Sequence, residues 1–226
     1  MMRHARLAVV ALVLAGGAAA PTAMVHAQDS EFLANLRARA EAGDAEAQFE
    51  YGMALQFGID ASPDHRAAAA WLRRAAEQEH LEGQFALALM YRSGKGVEQD
   101  CTEAANWLLR AASRDHRESQ FTLGMLYQNC DPETRDFVES AAWLRTAAQA
   151  GHFMAMSLLA DLYASGQGVI KDPVLASMWQ FLSAYRSTGR NRHVQVDKAR
   201  IMATPLTRAE RREALRLAAE WDTAHP

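Results

Sequence analysis

The fold is decided by a run of 36 residues, 44–79, which reads DAEAQFEYGMALQFGIDASPDHRAAAAWLRRAAEQE. The tryptophan of this run recurs three more times at intervals of 36 residues, and five other positions recur at the same interval. We call each such set of residues a column. The columns are Trp71, Trp107, Trp143 and Trp179; Gln48, Gln84, Gln120 and Met156; Leu55, Tyr91, Tyr127 and Tyr163; Ala47, Gly83, Ser119 and Ala155; Gly52, Ala88, Gly124 and Ala160; and Asp64, Asp100, Asp136 and Asp172. Columns this regular, across four units without an insertion, identify a repeat protein.

Each unit is predicted to form two helices. The inward-facing positions follow the 3.6-residue period of an α-helix, at 47, 48, 51, 52 and 55 in the first helix and at 68, 71, 72, 75 and 76 in the second. The two columns of small residues are expected at helix crossings, where they let neighbouring backbones approach closely. A single pair of helices cannot bury its apolar faces alone, so the units are expected to stack. The predicted fold is all-α, an α/α superhelix of four 36-residue helix-turn-helix repeats.

The repeats are flanked by segments that are predicted to cap the two ends. An N-terminal capping helix is expected within residues 28–42. Two C-terminal capping helices are expected within residues 187–226, the first near His193 to Ala203 and the second from Thr207 onward. The four repeat units between them are bounded at residues 43–78, 79–114, 115–150 and 151–186.

The aspartate column supplies a start signal for the second helix of each unit. A carboxylate at this position accepts hydrogen bonds from the free N–H groups of the first helical turn. Asp100 with Glu103, and Asp136 with Glu139, also resemble capping boxes, in which the later acid bonds back to the N–H of the cap residue. Thr207, followed three residues later by a glutamate, has the same pattern.

Three short patterns connect these units to a known family. They are A-x-A-Q-x-x-x-G at residues 45–52, A-x-x-W-L-x-x-A-A at 68–76 and G-x-G-V-x-x-D at 94–100. Together they resemble the Sel-one-like repeat (SLR) family, longer-looped relatives of tetratricopeptide repeats, over residues 43–186. Members of this family act mostly as scaffolds that hold other proteins in a concave groove. The resemblance therefore implies a protein–protein interaction scaffold. Unit three departs from the pattern, because Cys-Asp-Pro-Glu at residues 130–133 replaces the glycine-rich loop.

The first 27 residues have the arrangement of a secretory signal peptide. Arg3 and Arg6 form a basic n-region, residues 7–20 form an apolar h-region, and a small-residue cleavage signal ends at Ala27. Cleavage there predicts an exported protein, periplasmic or secreted, in a compartment where thiols oxidise. The alternative is an uncleaved anchor helix, although the apolar run is short for crossing a bilayer.

Composition narrows the classes of partner. Hydrophobic residues make up 50% of the chain and charged residues 23%, as in a globular protein. The formal net charge of −3 excludes a broadly basic nucleic-acid binder. We therefore expect a protein or peptide partner, no nucleic acid, no cofactor and no membrane span after signal cleavage.

The sequence contains no recognisable catalytic or metal-binding motif. His80, His116 and His152 form a further column, but equivalent residues in stacked units lie roughly 15–20 Å apart, at ~8–10 Å for each helix layer. One zinc ion needs nitrogen ligands at about 2.0–2.1 Å, so we interpret these histidines as polar residues at the turn before each first helix. The motifs GxSxG, S-x-x-K, HExxH and paired CxxC are all missing. No catalytic residue and no metal site is predicted.

Two further functions stay open. A cysteine-rich branch of the SLR family is associated with penicillin binding and weak β-lactamase activity. Its cysteine pairs recur between the second helix of one unit and the first helix of the next, at positions that carry no cysteine here. The other possibility, a cell-wall glycan binder, is indicated by the predicted compartment alone.

The two cysteines, Cys101 and Cys130, are predicted to form a disulfide. Each lies 14.5 residues from the turn at Asp115 and His116, which joins the second helix of unit two to the first helix of unit three. Because these helices run antiparallel, residues equally far from the turn come side by side, and a disulfide needs Cα atoms within ~4.4–6.8 Å. The alternative is two free thiols, with Cys101 reactive at a helix N-terminus.

The partner is predicted to bind a concave face built from the first helices. On a helical wheel, the side opposite the packing stripe carries apolar residues and one acid per unit. Apolar residues beyond those that the core needs often mark an interaction site. The predicted groove residues are Phe49, Met53, Phe57, Phe85, Leu89, Phe121, Met125, Glu46, Glu82 and Glu118.

Unit four breaks this pattern with Ser157 and Asp161, so the groove is expected over the first three units. The implied partner is an extended or helical segment with apolar anchors flanked by Lys or Arg. The alternative is that the phenylalanines pack between successive first helices, as core aromatic residues do.

Overall fold

A computed structural model describes residues 22–59 and 62–225. These residues form eleven α-helices and no strand, which confirms the all-α prediction. Units one to four each contribute two consecutive helices, from α2 and α3 to α8 and α9. The helices are α1 Thr22–Glu41, α2 Ala45–Phe57, α3 His65–Glu77, α4 Leu81–Ser93, α5 Cys101–Ala112, α6 Arg117–Asn129, α7 Phe137–Gln149, α8 Phe153–Ser165, α9 Pro173–Arg186, α10 Gly189–Ala203 and α11 Arg208–Ala224.

Stacking of the units builds the core. The two helices of a unit pack against each other, and the second helix of each unit packs on the first helix of the next. Leu72, Leu108 and Leu144 of the second helices are fully buried. One core cluster runs through units one to three, and another joins units three and four to the C-terminal helices. Neighbouring units therefore share a continuous interior, as expected for a repeat protein.

The aspartate column begins the second helix of every unit, as predicted. Each side chain accepts a hydrogen bond from a backbone N–H in the first turn. The capping-box prediction is confirmed for Thr207 but is wrong for Asp100 and Asp136. The backbone N–H groups of these aspartates donate instead to the carbonyls of Tyr91 and Tyr127, at 3.0 and 2.9 Å. They are therefore already satisfied by the preceding helix and do not bond the glutamate.

Glycines of one small-residue column lie at helix crossings. A Cβ placed on Gly52 would come within 2.9 Å of Leu72 Cγ, and one placed on Gly124 within 2.7 Å of Leu144 Cγ. Both distances are shorter than a normal carbon–carbon contact, so the first and second helices of these units pack this closely only over glycine.

The C-terminal helices continue the period of the repeats. Helix α10 begins at Gly189, 36 residues after Phe153 at the start of α8, and four residues before the predicted start near His193. Both α10 and α11 pack against α9. Trp221 meets Trp179 edge to face, with ring centroids 5.4 Å apart. The segment predicted as a cap thus extends the stack beyond unit four.

Helix α1 covers the other end of the stack. Leu36 and Ala40 are buried beside Ala47 of unit one. The predicted signal peptide, residues 1–27, lies outside the described residues up to residue 21, and residues 22–27 belong to α1. Among the described residues, no helix combines the length and apolar content needed to span a bilayer.

Glycine-rich loops dock on the preceding unit. Gly96 of unit two has φ +74° and lies against the carbonyl of His65, at the start of α3. Gly168 of unit four has φ +68° and lies in the same way against Phe137, at the start of α7. A side chain at either position would overlap this backbone, so the close approach depends on glycine.

Unit three replaces this contact with a covalent one. Cys130, at the end of α6, forms a disulfide with Cys101, and their Cα atoms lie 6.0 Å apart. Cys101 is 36 residues after His65 and 36 before Phe137, so it holds the equivalent place at the start of α5. The disulfide therefore joins units two and three at the place where glycine loops join the other units.

Candidate partner-binding surface

The predicted groove residues of α2, α4 and α6 form a surface that we call the first-helix face. Apart from Phe57, its most exposed members are the glutamates, one for each of units one to three. The side chains of Glu46, Glu82 and Glu118 are 47%, 60% and 50% exposed. Units one to three therefore each present one half-exposed carboxylate at the same position of the first helix.

Three phenylalanines of this face, Phe49, Phe85 and Phe121, are less accessible. All three are partly buried and pack against the core. Each ring also contacts a histidine of the next unit, with ring centroids 4.9 Å apart for Phe49 and His80, 5.3 Å for Phe85 and His116, and 4.2 Å for Phe121 and His152. The phenylalanine column therefore lies between consecutive units.

The histidine column caps the first helices of units two to four. Nδ1 of each ring accepts a hydrogen bond from the backbone N–H three residues later, at 3.0 Å for His80, 3.2 Å for His116 and 3.2 Å for His152. A nitrogen that accepts a hydrogen bond carries no hydrogen, so the neutral ring is assigned its hydrogen on Nε2. The sequence predicts these residues at the turn but does not by itself show that they cap the helix. The available signal was Asp44, a standard cap residue, at the same position in unit one.

Two glutamates of the face connect to this histidine column. Nε2 of His80 lies 3.3 Å from Glu46 Oε2, and Nε2 of His152 lies 3.3 Å from Glu118 Oε2. Burial lowers the pKa of His152 below its ordinary value, although Glu118 acts in the opposite direction. The glutamates thus link neighbouring units while their side chains stay about half exposed.

The remaining apolar members of the face differ in exposure. Met53, Leu89 and Met125 are partly buried, whereas the side chain of Phe57 at the end of α2 is 67% exposed. A partner that lies along the glutamates would therefore meet the outer edges of these apolar side chains and the open ring of Phe57.

The first helix of unit four is linked to α10 by a lysine side chain. Nζ of Lys198, on α10, donates to Ser157 Oγ at 3.0 Å and to Asp161 Oδ2 at 3.1 Å. A Ser–Lys contact can serve nucleophilic catalysis when the serine is accessible and the lysine acts as a base. Ser157 is only 4% exposed and also bonds Gln180, and the ammonium group of Lys198 is paired with Asp161. The contact therefore joins α10 to α8 and is not a reactive site.

The glutamine column is structural. The side chains of its three glutamines are buried, and each Nε2 donates to a backbone carbonyl near the end of the preceding helix. The bonds run from Gln48 to Ala40 at 3.1 Å, from Gln84 to Ala76 at 3.2 Å and from Gln120 to Ala112 at 3.2 Å. Each of these bonds joins a first helix to the end of the helix before it, so the glutamines secure the turn between the two helices.

One group of metal-ligand residue types comes together among the described residues. The potential ligand atoms of Cys101, Cys130 and Asp131 all lie within 4.8 Å of one another. The two sulfurs are bonded to each other in the disulfide. The backbone N–H and hydroxyl of Thr134 donate to the Asp131 carboxylate and lower its pKa. These groups are therefore already engaged within the chain.

Helical pairs that stack and recur every 36 residues define a helical repeat protein. The Sel1 repeat family model matches residues 45–80, 81–116, 117–152 and 153–179, more than half of the chain. The chain belongs to the Sel1 repeat family. Proteins of this family are generally protein-interaction scaffolds and are typically non-catalytic.

Two solved structures illustrate the similarity. A protective antigen present in uropathogenic Escherichia coli strains, which displays an SLR fold, is 30% identical with a TM-score of 0.71, over 83% of this chain and 40% of that chain. A Sel1 repeat protein from Oxalobacter formigenes is 25% identical with a TM-score of 0.67, over 86% of this chain and 79% of that one. The present chain thus spans less than half the length of the Escherichia coli antigen. No curated protein matches the sequence.

Proposed function

We propose that this protein is a non-catalytic scaffold that binds a segment of another protein along the first-helix face of units one to three. The observation that carries the proposal is the column of Glu46, Glu82 and Glu118, one half-exposed carboxylate per unit. Partly buried apolar side chains belong to the same face. A fitting partner is an extended or helical segment with apolar anchors flanked by Lys or Arg.

The contact at unit four supports this chemistry. There Asp161, on the first helix, pairs with Lys198 of α10. A basic side chain from another helix is thus accommodated on a first helix within the same chain. Because unit four carries Ser157 and Asp161 where the earlier units carry apolar residues, the surface proposed for the partner ends at unit three.

Charge reversal at the most exposed glutamate tests this function. Glu82→Lys is expected to weaken binding of the partner by about 3–10-fold, and more at low ionic strength, because a like charge would face the basic segment. The free energy of unfolding should change little, since the side chain is 60% exposed. Affinity capture with crosslinking from the exported fraction, read by quantitative mass spectrometry, measures the effect.

Glu77→Lys is the matched control, because Glu77 is an exposed acid at the end of the second helix α3. It makes the same change in net charge away from the first-helix face. We expect the control to capture the same proteins as the wild type. Equal capture by the two variants, whether reduced or unchanged, would contradict the proposed surface.

We also propose that the protein is exported and cleaved after Ala27. The n-, h- and c-region arrangement supports this, and so does the Cys101–Cys130 disulfide, because disulfides persist in oxidising compartments. N-terminal sequencing of the exported form is expected to begin at Gln28. A membrane-bound form that retains residues 7–20 would contradict the proposal.

A further inference from the structure

His152 holds several contacts at the junction between units three and four. Nδ1 accepts from the N–H of Ala155 at 3.2 Å, and Nε2 donates to Glu118 Oε2 at 3.3 Å. The ring stacks on Phe121 with centroids 4.2 Å apart, and the residue is only 7% exposed. A single neutral imidazole therefore starts α8 and connects it to α6.

We propose that His152 is a proton-sensitive helix cap, and that protonation of its ring weakens the junction between units three and four. Because Nε2 already carries a hydrogen, a proton adds at Nδ1, where it faces the N–H of Ala155. The cap hydrogen bond to α8 is then lost, and two donors oppose each other. The charged ring also lies at a helix N-terminus, where the helix dipole disfavours a cation. Acid thus frees the start of α8 from its cap.

Charged groups reach the ring's surroundings from two packed helices. Helix α6 contributes Glu118, which favours the protonated ring, and Arg117, which opposes it. Helix α9 contributes Arg186, whose guanidinium lies beside Gly151 and is paired with Asp222 of α11 at 2.7 Å. Burial outweighs the effect of Glu118, so the pKa of His152 lies below the ordinary value of 6.5.

The sign of the pH dependence follows from this direction. As pH falls, the unfolded chain binds a proton at this histidine before the folded chain does. Neutral His152 therefore contributes its full stability above about pH 6.5, and that contribution is lost as pH falls through 6.5 toward the lower pKa of the folded state. Within this window, each unit by which the pH falls raises the unfolding constant up to about tenfold.

The variant His152→Asn separates the cap from the proton. Asparagine accepts the same type of cap hydrogen bond but does not titrate in this range. Urea unfolding measures the unfolding constant of both proteins at pH 7.5 and at pH 5.5. The factor by which this constant rises from pH 7.5 to pH 5.5 should be up to about tenfold larger for the wild type than for the variant. Hydrogen exchange at pH 5.5 should show extra opening of residues 153–156 in the wild type alone.

His193→Asn serves as the control, because His193 is exposed on α10. It should keep the pH dependence of the wild type. The proposal is overturned if His152→Asn keeps it as well. An NMR titration of the wild-type protein needs no variant. The His152 ring is expected to titrate below pH 6.5. A midpoint at or above that value would also overturn the proposal.

Discussion

Replacing both cysteines, Cys101→Ser together with Cys130→Ser, is expected to lower the free energy of unfolding by about 3–4 kcal/mol. The disulfide closes a loop with a sequence separation of 29 residues and so limits the conformations of the unfolded chain. It is also the contact that holds unit three where other units use a glycine loop. Urea unfolding of the oxidised wild type and the double variant measures the difference.

Reductant provides the control for the disulfide. Reduced wild type should match the stability of the double variant, and the variant itself should not respond to reductant. Titration of the unfolded, unreduced wild type should find no free thiol. Two thiols per chain would show that the bridge is not formed in the isolated protein.

The substitution Gly96→Ala is expected to lower the free energy of unfolding by about 2–5 kcal/mol. Gly96 has φ +74°, which is unfavourable for alanine, and an added methyl group would overlap the carbonyl of His65. Relief requires the loop to move away from the start of α3. Thermal and urea unfolding measure the loss, and Gly168→Ala should behave alike, because Gly168 lies in the same way against Phe137.

The variant Gly43→Ala separates the cost of the positive φ from the cost of the steric overlap. Gly43 also has a positive φ, +97°, but a Cβ there would meet no atom within 4 Å. The free energy of unfolding of this control should therefore fall only by the cost of a positive φ for alanine, about 1–2 kcal/mol. Similar losses at Gly43 and Gly96 would mean that docking of the loop on the preceding unit adds little stability.

The double cysteine replacement and Gly96→Ala both affect a junction between neighbouring units. In units two and four a glycine loop packs on the start of an earlier second helix, whereas in unit three Cys130 is bonded to Cys101. The loss of glycines in unit three was visible in the sequence as a departure from the repeat pattern. That the cysteines take over the junction becomes clear only when the units are stacked.

The candidate site was predictable only in part. The helical wheel groups Glu46, Glu82 and Glu118 on one side of the first helices, because a single helix determines which residues share a side, and their side chains are about half exposed. It could not show that Phe49 contacts His80 of the next unit, since that contact depends on how two units stack. The same limitation hid the role of the histidines as helix caps.

What the sequence by itself determined is the local and periodic part of this protein. The 36-residue columns predict the helices, and Asp64 and its equivalents start the second helices through hydrogen bonds within the first turn. The tertiary structure decided the contacts between separate helices. It directs the N–H of Asp100 to Tyr91 and joins Lys198 to Asp161. The physical reason is that a cap or a helical stripe depends on neighbours within one helical turn, whereas these partners meet only after separate helices have packed.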